Sequence, residues 1–176
     1  MPSKNSKRRA KKPSPKKAKR ASSKRRQPIR KPAGLTEVGL RSYAGKLAAD
    51  LKPGDCVLLE GPLGAGKSTF ARFLIAALGG PEASAGSPTF SIAHEYATPR
   101  GEVIHVDLYR LEDEMELEAA GIESYFLERA AIVICEWASR FPQWVERVAP
   151  PTSPNSLRIQ LEFVPGRPNL RKLLRF

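Results

Sequence analysis

The sequence predicts an α/β fold: a three-layer sandwich with helices on both faces of a mixed, mostly parallel sheet and an antiparallel C-terminal strand. Three observations point there. Short continuous apolar runs, Val57-Leu58-Leu59 and Ala131 to Cys135, read as strands covered on both faces. Segments with apolar residues at helical spacing lie between such runs. A glycine-rich turn joins the first run directly to a helix.

Taken in order, Leu40, Tyr43, Ala44, Leu47, Ala48 and Leu51 fall on one helical face, with Thr36 as its N-cap and Pro53-Gly54 as its stop. The strand Val57–Glu60 follows, then a helix from Lys67 to Leu78 that Gly79-Gly80 terminates. Phe90, Ile92, His94 and Tyr96 alternate as a strand, Pro99-Arg100-Gly101 turns, and Val103 to Asp107 forms the next strand. Leu111 to Arg129 is acidic and helical in two pieces broken at Gly121. After the strand Ala131–Cys135, Pro150 to Pro154 forms a loop. Leu157, Ile159, Leu161 and Phe163 then alternate as an antiparallel closing strand with one exposed face.

Charge divides the chain in two. Of 176 residues, 30 are Lys or Arg and 18 are Asp or Glu, a net +12. Residues 1–32 hold 15 of the basic residues and no acid, leaving a net −3 for the remainder. The high isoelectric point therefore belongs to a tail, and the folded part is no nucleic-acid-binding domain by charge. Residues 1–33 are expected to be disordered, because almost no large apolar group is available to offset the entropy of ordering them. The domain proper is expected over 34–176. No apolar run approaches membrane-spanning length, and no apolar stretch follows the charged N-terminus as in a secretory signal. Cys56, Cys135, His94 and His105 lack metal-ligand spacing and read as packing residues, the cysteines as reduced thiols of a cytoplasmic protein.

Gly61-Pro62-Leu63-Gly64-Ala65-Gly66-Lys67-Ser68 fits G-x-x-x-x-G-K-[ST] in full, between a strand and a helix. Glycines let the backbone turn tightly and aim successive N–H groups at phosphate oxygens, and the helix N-terminus adds its positive dipole end. Lys67 would reach the terminal phosphates, and the Ser68 hydroxyl would complete a Mg²⁺ shell. Such a metal needs an acid at the end of a neighbouring strand. Asp107 and Glu136 each close one, and spacing leaves open which holds the metal and which orients the attacking water.

The segments Gly61–Thr69, Ser87-Pro88-Thr89-Phe90, His105 to Arg110, Glu118 to Gly121 with Tyr125-Phe126, and Glu136-Trp137 occur in the order and spacing of the TsaE family. The resemblance covers about residues 35–167. It implies a P-loop ATPase that hydrolyses ATP to ADP beside a TsaB–TsaD pair in the machinery that forms threonylcarbamoyl-adenosine next to the tRNA anticodon. Residue by residue, it implies a phosphate cradle of Gly64, Ala65, Gly66, Lys67, Ser68 and Thr69. It places Mg²⁺ on Ser68 and Glu136, and makes Asp107 the hydrolysis-linked acid at the γ-phosphate. Thr89 falls in a first switch-like segment and Asp107 to Arg110 in a second. Glu37 and Gly166 match the positions that flank the nucleoside. The basic tail departs from the family pattern and opens a direct tRNA contact.

No arginine finger is evident, so hydrolysis by the chain alone is expected to be slow. The alternative reading is a small-molecule kinase. Its lid would fall on the stretch around 111–123, whose acids suit a basic partner surface better than an anionic acceptor.

Overall fold

The computed structural model describes residues 34–81, 88 and 91–176. The tail over 1–33 and the site residue Thr89 lie outside the described residues.

The first helix, α1 (Glu37–Asp50), starts where the Thr36 hydroxyl accepts the Gly39 N–H at 3.2 Å. It buries Leu40, Ala44, Leu47 and Ala48 along one stripe. Strand β1 (Cys56–Glu60) is buried at every position and runs straight into the glycine-rich loop. Helix α2 (Lys67–Ala77) then buries Phe70, Ala71, Phe73, Leu74 and Ile75. Its end closes as a Schellman motif: the Gly80 N–H donates to Ile75 O, and the Gly79 N–H donates to Ala76 O. Gly79 sits at φ +95°, which a side chain would resist.

A hairpin follows, β2 (Ala93–Thr98) and β3 (Gly101–Asp107), paired antiparallel. Its turn residue Arg100 donates to Ala48 O, Ala49 O and Leu51 O, satisfying carbonyls at the end of α1. Strand β2 begins later than its alternation suggests, because Ile92 takes the left-handed conformation at φ +64°. Two short helices, α3 (Glu114–Ala119) and α4 (Glu123–Leu127), break at Gly121 as expected. Several of their acids serve local structure. Asp113 accepts the Glu116 N–H, Glu116 accepts the Glu112 N–H, and Glu114 pairs with Arg147.

Strand β4 (Ile132–Glu136) is again fully buried and leads through a 3₁₀ turn, Ala138–Arg140, into α5 (Pro142–Val148). The chain ends with β5 (Ser156–Val164) and β6 (Arg167–Arg175). The six-stranded sheet has the order β2-β3-β4-β1-β5-β6. The four central strands are parallel, and both edge strands are antiparallel to their neighbours. Val57, Leu59, Val103, Ile134 and Ile159 face α1 and α2, while Leu58, Ile104, Val106, Val133 and Cys135 face the layer of α3, α4 and α5. This is the three-layer α/β sandwich expected.

One strand assignment is corrected. Leu157–Phe163 is not the closing edge: it lies inside the sheet, parallel to β1, and the antiparallel closing strand is β6. The alternation arises because Leu157, Ile159 and Leu161 join the core under α1 and α2, while Arg158, Gln160 and Glu162 stay half-exposed. The opposite helical layer packs over β1, β3 and β4 instead.

At the C-terminal ends of β3 and β4, Asp107 and Glu136 stand opposite one another in register. Glu60 ends β1 one residue past Leu59, the partner of Glu136, and so projects from the other sheet face. All three carboxylates are buried. Gly61 leaves this edge at φ +131°, and a Cβ there would stand 2.1 Å from Leu161 O of β5. Gly61→Ala is therefore expected to lower the unfolding free energy by about 3 kcal/mol, measured by chemical denaturation. An effect within the error of that method would show that β1 and β5 can separate here without loss.

Candidate functional site

The loop from Gly61 to Gly66 leads from the end of β1 into α2. Gly64 and Gly66 have φ of +75° and +99°, the left-handed backbone that turns consecutive amides in one direction. Gly66 has no atom within 4 Å of where a Cβ would sit, so the space above it is open. Ala65 is buried beneath the loop, and Thr69 and Gly64 border a cleft of about 460 Å³.

Lys67 opens α2 and is buried. Its ammonium donates to Gly61 O at 2.7 Å and Pro62 O at 3.0 Å, and lies 3.5 Å from the centroid of the Trp137 ring. Burial pulls its pKa below the usual lysine range, opposed by the nearby Glu136, Asp107 and Glu60 carboxylates. Its two direct acceptors are neutral carbonyls, and a phosphate oxygen in their place would make the stronger, charge-assisted hydrogen bond.

Ser68, one residue on, donates its hydroxyl to Glu136 Oε2 at 2.9 Å. The other oxygen, Glu136 Oε1, meets His105 Nε2 at 2.8 Å. Glu136 is 1% exposed and His105 fully buried. Asp107 keeps a different arrangement: its Oδ1 accepts the Tyr109 N–H at 3.0 Å, which shapes the Asp107 to Arg110 turn. Trp137 holds the left-handed conformation at φ +64°, uncommon for a bulky residue, which carries its ring from the end of β4 back over Lys67. Glu60 fixes the turn beyond by accepting from the Ser139 N–H at 2.8 Å and from its hydroxyl.

The oxygen donors suit a magnesium ion. Among the described residues no three His, Cys, Asp or Glu side chains cluster as a metal cage. Ser68 Oγ and Glu136 Oε2 stand 2.9 Å apart, the distance of about 2.9 Å between adjacent ligands of a Mg²⁺ octahedron with bonds near 2.1 Å. Mg²⁺ is ordinarily held by one or two such protein oxygens together with substrate phosphates.

The cleft is bordered by Thr36, Glu37 and Val38 on one side and by Pro168, Asn169 and Arg171 on the other. Glu37 thus stands beside the loop, while Gly166 sits at φ +70° in the β5–β6 turn and the neighbouring Pro168 and Asn169 border the cleft instead. The two cysteines are free and buried, and burial pushes both thiols up.

Sequence reading missed Arg171. From β6 its guanidinium donates to Ala65 O at 3.0 Å, reaches Gly64 O at 3.5 Å and stacks on Phe163, tying the last strand to the phosphate loop. Glu60 was also passed over, although an acid ending the strand before the loop was a legible signal. Arg171→Ala is expected to lower stability by about 1–3 kcal/mol in urea unfolding. Arg171→Lys should recover less than half, since an ammonium cannot span both carbonyls. Full recovery by lysine would reduce the role to charge alone.

Comparison with known proteins identifies the family. A family model described as threonylcarbamoyl adenosine biosynthesis protein TsaE matches residues 36–167. The tRNA threonylcarbamoyladenosine biosynthesis protein TsaE of Rickettsia bellii is 37% identical over 103 residues, 58% of this chain and 70% of that protein. Its Bacillus subtilis counterpart is 41% identical over 98 residues, covering 56% of this chain and 60% of that one. The crystal structure of YdiB from Bacillus subtilis superposes with a TM-score of 0.56 at 25% identity, over 80% of each chain. The family match over nearly the whole described domain and the identity to these relatives lead to one assignment: the chain belongs to the TsaE family.

Proposed function

We propose that this protein is a P-loop ATPase that hydrolyses ATP to ADP within a TsaB–TsaD–TsaE machinery, serving tRNA threonylcarbamoyl-adenosine formation next to the anticodon. The observation that carries the reading is the Ser68–Glu136 contact, set beside buried Lys67 inside a complete phosphate-loop motif of a TsaE-family chain. The loop amides and Lys67 receive the β- and γ-phosphates. Lys67 exchanges its two carbonyl partners for phosphate oxygens, at which point its charge is fully used. Ser68 and Glu136 would hold Mg²⁺, which when bound would neutralise charge developing on the phosphate oxygens. Asp107 lies beside Glu136 in register and holds the attacking water, accepting its proton as the new P–O bond forms and ADP leaves. Thr89 is assigned to the same γ-phosphate end on the family resemblance. Glu37 flanks the nucleoside across the cleft from Pro168 and Asn169, and Gly166 is assigned to that end on the family resemblance alone.

With no cationic side chain besides Lys67 assigned to the γ-phosphate, the isolated chain should turn over well below the roughly 1–100 s⁻¹ of efficient kinases. The deciding experiment is phosphate release from ATP with and without a TsaB–TsaD pair. Stimulation by the pair, lost in Lys67→Ala, supports the reading. Phosphate transfer only on addition of a metabolite would favour the small-molecule kinase. Lys67→Ala should weaken ATP binding about 10–100-fold. Asp107→Ala should spare binding and slow hydrolysis, whereas Glu136→Ala should be partly rescued by raised Mg²⁺. The reverse pattern would exchange the roles of the two acids.

The tail supplies a second contact in this proposal, with tRNA. Its 15 basic residues match a polyphosphate backbone, and it joins the domain at Leu35, which pairs with Arg171 beside the cleft. Deleting residues 1–32 should weaken tRNA binding at about 0.15 M salt and flatten its salt dependence, while ATP binding is kept. An unchanged salt slope would remove the tail from the interface.

A further inference from the structure

His105 has the residue type of a packing histidine but the position of a working one. It lies two residues before Asp107 on β3 and opposite Ile134 of β4, so His105, Asp107 and Glu136 share the sheet face that α2 covers. It is fully buried, its Nε2 is 2.8 Å from Glu136 Oε1, and its Nδ1 has no hydrogen-bond partner among the described residues. An ionised carboxylate can only accept, so Nε2 carries the proton and donates. A buried imidazole that forgoes bonding at Nδ1 in order to donate at Nε2 is a device aimed at one acceptor.

We propose that His105 is a positioning residue for the magnesium site: its Nε2–H pins Glu136 Oε1, which leaves Oε2 turned toward Ser68 and the metal. The inference rests on the assignment of Mg²⁺ to Ser68 and Glu136 made above. The physical reason is the burial of Glu136. At 1% exposure its carboxylate has no water to fill an unused oxygen, so each oxygen requires a fixed donor. Ser68 supplies one and His105 the other. Without His105 the carboxylate can turn its free oxygen toward Ser68, and the single outward-facing donor orientation is lost. Groups that orient a metal ligand through its second atom commonly control metal affinity by 10–100-fold.

The test is Mg²⁺ titration into the full-length chain saturated with ADP, read by calorimetry and by tryptophan fluorescence. ADP binding in EDTA serves as the control for an intact loop. His105→Leu keeps the volume and removes the donor, and is expected to weaken Mg²⁺ 10–100-fold with ADP binding in EDTA unchanged. His105→Gln places an amide N–H near the former Nε2 and is expected to stay within about threefold of the parent. Parent-like Mg²⁺ affinity in His105→Leu overturns the proposal. If His105→Leu also loses ADP binding in EDTA, His105→Gln decides: retained Mg²⁺ affinity supports positioning, and a tenfold loss with ADP binding intact overturns it. Failure of the underlying metal assignment reads differently, as a parent chain whose ADP affinity does not respond to Mg²⁺ at all, and it removes both.

Discussion

A carboxylate buried at the end of β4 organises this structure. Glu136 is 1% exposed, and a charge so placed is tolerated only when each oxygen has a donor. Its donors come from the first turn of α2 and from β3, so satisfying it locks the phosphate loop's helix to the centre of the sheet. Trp137 follows at a strained left-handed backbone and returns over Lys67. Glu60 and Ser139 then anchor the turn that follows. The loop itself is held from below by Leu161 O against Gly61 and from the side by Arg171. The site thus draws on β1, the glycine loop, α2, β3 and β4, and the sheet order is what brings them together.

Much of this was legible because it is local. The phosphate loop is eight contiguous residues, and its strand and helix declare themselves by an apolar run and a helical stripe. The acids ending β3 and β4 followed from the rule that ligands gather at the carboxyl ends of parallel strands. What stayed hidden depends on contacts between distant residues. His105 and Glu136 are 31 positions apart, and no ligand spacing joins them. Arg171 lies 106 positions from Ala65, in a strand too basic and irregular to read as sheet. The alternation in β5 was genuine, but it reported a helical layer that stops short of β5, not a place at the sheet edge.

The charge pattern divides into two separate matters. Acids around α3 and α4 are engaged by caps and by Arg147, so their density partly reflects the need to start two short helices. Arg129, just past α4, pairs with Glu95 and Glu102 of the hairpin, closing that edge. The basic excess lies wholly in the tail, whose root at Leu35 is tied to β6 next to the cleft. The domain that carries the cleft is itself mildly acidic, so the basic excess of the sequence and the lysine of the glycine loop are separate sets of cations.

The proposed function requires one property above all, that the strand ends and the glycine loop form a magnesium-dependent nucleotide site. Calorimetric titration of ATP into the intact chain, with Mg²⁺ and then with EDTA, tests it most directly. One ATP per chain, bound more tightly with Mg²⁺ and with that gain lost in Ser68→Ala, is the predicted result. Absence of binding, or binding indifferent to both Mg²⁺ and Ser68, would contradict it.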